Sequence, residues 1–130
     1  MDFTRSIELD LPYDEAVARV RDALKEQGFG VLTEIDVRQT LKEKLDVDVE
    51  PQIILGACNP QLAHRALEID PRIAALLPCN VVVRTEKGRT VVDALDPKII
   101  AEVPDNSDLA PIAEEAGQRI QAALDALGSV

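Results

Sequence analysis

Two short segments pair a cysteine with an asparagine: Gly56-Ala57-Cys58-Asn59-Pro60 and Leu76-Leu77-Pro78-Cys79-Asn80. In the first, Asn59 is a good N-cap and Pro60 a good first helical residue, so a helix begins there. The unpaired N–H groups and dipole of that helix end would favour the thiolate of Cys58 and lower its pKa. A reactive or redox thiol is the functional reading, and a small buried hydrophobe followed by a simple cap is the plainer one. Cys79 carries the same two readings without a helix N-terminus to help it. The pair is not a C-x-x-C unit, so a disulfide between them depends on tertiary proximity. In a cytoplasm such a bridge would be regulatory or catalytic rather than structural. His64, the only histidine, adds a third soft or borderline ligand at most, whereas a structural zinc site takes four. A dimer interface could complete a set, but a lone helical histidine is more often a surface or packing residue. The ligand-binding or redox candidates are therefore Cys58, Asn59, Cys79, Asn80 and His64. No residue is assigned to catalysis, and the nature of any metal, cofactor or small-molecule ligand stays open.

Other chemistry finds little support. With 24 carboxylates in the chain, pairs of them carry no information. Asp93 is the one to watch, in a predicted strand between Val92 and Ala94; if those two face the core, it faces out. Asp70-Pro71 and Asp96-Pro97 read as helix caps, and the charged stretch 42–50 reads as a solvated face. The serines are Ser6, Ser107 and Ser129, in a strand flank, a loop and the tail, and none lies in a Gly-x-Ser-x-Gly motif. Neither a P-loop nor Gly-x-Gly-x-x-Gly is present. These absences favour a binding role over an enzymatic one.

Composition narrows the partners. The net charge is −10 and no basic cluster interrupts it, so nucleic acid and anionic membrane surfaces would be repelled. Phe3, Tyr13 and Phe29 are the only aromatics, too few to stack bases, sugars or flavins. No apolar run is long enough to span a membrane. The charged, alternating N-terminus lacks a signal-peptide core, and two cysteines fit reduced thiols in the cytoplasm.

The elements that must position these residues follow from periodicity. At 130 residues the chain has the size of one domain. Residues 3–9 alternate as a half-buried strand. Pro12 opens a helix with Ala16, Val17, Val20, Ala23 and Leu24 on its apolar stripe, ended by Gly28. A second strand follows, with Phe29, Val31, Thr33 and Ile35 on one side. Residues 37–46 read as a short exposed helix. Residues 52–57 are a well-buried strand. Residues 60–77 form two short helices split at Asp70-Pro71. Residues 79–85 and 89–95 are a hairpin turning at Glu86-Lys87-Gly88. After the Asp96-Pro97 turn, Ile99, Ile100 and Val103 read as exposed apolar residues suited to an interface. A polar loop covers 103–108, and a final helix spans about 109–127. The order β-α-β-(α)-β-α-β-β-α describes an α+β domain, with helices on one face of a five-stranded sheet.

Three segments together resemble the family known as domain of unknown function 302: Leu41-Lys42-Glu43-Lys44-Leu45, Ile53-Ile54-Leu55-Gly56-Ala57-Cys58-Asn59-Pro60, and Leu76-Leu77-Pro78-Cys79-Asn80-Val81-Val82-Val83. Gly28-Phe29 and Asp96-Pro97 fit the same pattern. The resemblance implies a mainly antiparallel curved sheet backed by helices, in a TATA-binding-protein-like arrangement, and a homodimer. It implies no activity and does not import DNA binding, which the acidic balance opposes. One departure is Asp46, where the pattern commonly has glycine, which puts a turn in question. Two functions are in view. One is a small-molecule, metal or redox-responsive binding domain with its site at the Cys-Asn segments. The other is a structural or interaction module whose dimer surface is the function.

Overall fold

Pattern and punctuation along the chain resolve into twelve elements. The computed structural model describes residues 2–128; Met1, Ser129 and Val130 lie outside the described residues. In order come β1 (Thr4–Leu9), α1 (Tyr13–Glu26), β2 (Gly30–Asp36), α2 (Val37–Leu45), β3 (Gln52–Cys58) and α3 (Pro60–Ile69). A 3₁₀ helix (Pro71–Leu76), β4 (Cys79–Glu86), β5 (Arg89–Leu95), α4 (Ile99–Glu102), a second 3₁₀ turn (Ser107–Leu109) and α5 (Ala110–Leu127) complete the chain. The boundaries have local causes. Gly28 follows α1 at φ +83, a conformation that glycine adopts without a Cβ penalty. The Oδ1 of Asp70 accepts from the Arg72 backbone N–H at 2.9 Å, capping the 3₁₀ helix. Lys87 and Gly88 both have positive φ, which makes the β4–β5 connection a tight two-residue hairpin of the kind whose twist suits antiparallel strands.

The five strands form one antiparallel sheet in the order β1-β5-β4-β3-β2. Alternation divides its residues between two faces. On the covered face Leu55, Val81, Val83, Val92 and Ala94 are sealed against Val20, Ala23 and Leu24 of α1 and Ile120, Ala123 and Leu124 of α5. A second cluster joins Leu62 and Ala66 of α3, Ile73, Cys79 and Ile100 to Leu109, Ile112 and Ala116. This is the α+β architecture with one helix-backed sheet, as expected from the order of elements.

Three details differ from the periodic reading. Strand β2 does not alternate throughout: its register with β3 shifts between Val31 and Thr33, so Leu32 is a bulge. Val31 stands opposite Ala57, but Thr33 and Ile35 stand opposite Gly56 and Ile54, on the other face of the sheet. One inserted residue is enough to exchange faces, because the side-chain period is two. The segment after Asp96 is also not a simple turn. Residues Ile99–Glu102 form the single helical turn α4, which folds Ile100 into the second cluster at 4% exposure. Of the three apolar residues expected at the surface there, Ile100 is buried, Ile99 half-buried and Val103 61% exposed. Finally, Asp46 takes the left-handed conformation (φ 53) as the C-cap of α2, so the turn that glycine would favour is made by aspartate.

Candidate functional site

The two cysteines come together at the junction of β3, β4 and α3. Cys79 pairs across the ladder with Ala57, one residue before Cys58. Both thiols are free. Burial pushes the Cys79 thiol up to about 11, and the nearby Cys58 adds to the effect. Burial also raises the Cys58 thiol. The lowered pKa expected of Cys58 at a helix start is therefore absent, because burial disfavours the thiolate. A one-residue offset in an antiparallel ladder aims neighbouring Cβ atoms at opposite faces. The cavity that both cysteines border is apolar and only about 30 Å³, room for a water and nothing larger.

The rest of the Cys-Asn segments serve the fold. Asn59 is 7% exposed, and its Oδ1 accepts from the Leu62 N–H at 3.1 Å. Gly56 lies under Thr33 and Pro78. A Cβ there would overlap Thr33 Oγ1 and sit 2.8 Å from Pro78 Cγ. Asn80 is exposed, opposite Gly56 in the β3–β4 pairing. His64 lies on α3 with its side chain 77% exposed and 3.7 Å from Glu68, apart from both thiols. The structure thus brings Cys58, Asn59 and Cys79 together and leaves Asn80 and His64 outside that corner. Among the described residues, no group of three or more His, Cys, Asp and Glu side chains could hold a metal ion.

A different arrangement occupies the uncovered face of the sheet. One row of paired residues runs across all five strands: Ile35, Ile54, Val82, Asp93 and Ser6. The next row holds Gln52, Arg84, Val91 and Glu8. The β2–β3 half is apolar and the β5–β1 half is polar. Asp93, facing out as expected, accepts from Ser6 Oγ at 2.6 Å and from Arg84 Nε at 2.7 Å. Arg84 also lies 3.1 Å from Glu86, and these acidic partners raise its pKa, with the Asp93 hydrogen bond the main cause. Arg89 pairs with Glu8 at 2.8 Å. Beside this network a shallow depression of about 460 Å³ opens between Phe3, Asn80, Val82 and Arg84.

Arg84 and Ser6 were not singled out from the sequence. A signal was available: the two-residue turn at Lys87-Gly88 sets Val82 opposite Asp93 and so brings Arg84 diagonally beside it. The Ser6 contact was out of reach, since nothing local says that β1 pairs with β5. A larger cleft, about 720 Å³, lies elsewhere, between β1, α4 and α5. Its Arg5 is committed to Asp96 at 3.2 Å and to the Gly117 carbonyl at 3.0 Å.

The comparisons with known proteins fit this architecture. No curated protein matches the chain. A crystal structure of an uncharacterized conserved DUF302 protein from Bacillus stearothermophilus is 32% identical, with a TM-score of 0.91 over 98% of this chain and 100% of the other. The model of the domain of unknown function DUF302 matches residues 5–127. With nearly its whole length accounted for in both sequence and fold, this chain belongs to the DUF302 family.

Proposed function

We propose that this chain is a non-enzymatic interaction module that works as a homodimer, with the uncovered face of its sheet as the working surface. The observation that carries this reading is the order of that face. Its charged side chains are held in cross-strand pairs around Asp93 and Arg84, next to the apolar patch of Ile35, Ile54 and Val82. A sheet with one open apolar–polar face is a binding surface in need of a partner. Charge supports a second copy. The face carries Arg84 and Arg89 against Glu8, Glu86 and Asp93, close to neutral in a chain of net charge −10. It is a surface on which two such chains can meet without strong repulsion. Sedimentation equilibrium at micromolar concentration tests the reading: a dimer is expected, and a monomer up to the highest soluble concentration overturns it. The two free cysteines fit a reducing, cytoplasmic setting.

A second reading, a redox-responsive or ligand-binding site at the Cys-Asn corner, has one observation in its favour: Cys58 and Cys79 are close enough to influence each other. Both thiols are held protonated at neutral pH by burial, so native alkylation should be slow. Mild peroxide treatment followed by intact mass measurement decides it. Loss of two hydrogens per chain, reversed by a dithiol, supports the response. Unchanged thiols remove it.

A further inference from the structure

We draw no further inference here: the strongest candidate, the exposed apolar surface patch that β2, α2 and the strand entry beyond them present through Leu32, Ile35, Leu45 and Val47, carries none because nothing in the structure shows what covers it.

Discussion

The two faces of this sheet are built from alternate residues of the same strands, yet they are organised by different physics. On the covered face Leu55, Val83 and Val92 are fully sealed and their neighbours are aliphatic, so the order comes from close packing against α1 and α5. On the uncovered face the order comes from directional contacts between Ser6, Asp93, Arg84 and Glu86, with apolar residues beside them rather than over them. The first kind of order is complete within the chain. The second leaves surface to be used. The contrast teaches where to look for function: the paired Cys-Asn segments, conspicuous in the sequence, are largely absorbed by the covered side.

The comparison can be tested most sharply by truncating one residue on each face. Leu55→Ala should cost about 3 kcal/mol of unfolding free energy, because its site is enclosed and a cavity would remain. Ile35→Ala, three positions beyond the bulge and 49% exposed, should change the stability of dilute protein by no more than about 0.5 kcal/mol. Denaturant titration of both variants gives the answer, and equal losses would erase the distinction between the faces.

Gly56→Ala probes the seam between them and should destabilise by about 2 kcal/mol. Thr33 Oγ1 can rotate away from the new methyl, but the Pro78 ring 2.8 Å from it cannot. A variant as stable as wild type would show that the strand crossing is looser than described.

The thiol corner can be read through pH. Because Cys79 titrates at about 11 when folded and near the ordinary thiol value when unfolded, the folded state holds its proton more tightly. Its contribution is fully present below the unfolded pKa and is lost as pH rises through the folded one. Stability should fall between about pH 9 and 11 by up to about 3 kcal/mol, and the fall should be shallower in Cys79→Ala. Parallel pH curves for the two proteins would place Cys79 in a solvated setting instead.

The smallest effect concerns the exposed segment. Asp46→Gly should stabilise the fold by about 0.5 kcal/mol, since glycine meets φ 53 without the steric cost borne by aspartate. Losing the 2.9 Å contact between Lys42 and Asp46 offsets part of the gain. Thermal melts of the two proteins measure the difference.

Much of this was legible in the residues. Alternation in 3–9, the β4–β5 hairpin signal, the caps at Asn59 and Asp70, the stop at Gly28 and the stripe of α5 all act over a few residues, so composition and spacing determined them. The outward direction of Asp93 followed from its neighbours Val92 and Ala94. What tertiary structure alone decided is non-local. The bulge at Leu32 reassigned Thr33 and Ile35 to the uncovered face, and α4 drew Ile100 inward. Pairing of β1 with β5 gave Asp93 a second partner in Ser6, and burial reversed the expected shift of Cys58. A thiol's pKa depends on how much water the surrounding chain removes, and a strand's register on which distant strand lies beside it. Neither quantity is written in a window of ten residues.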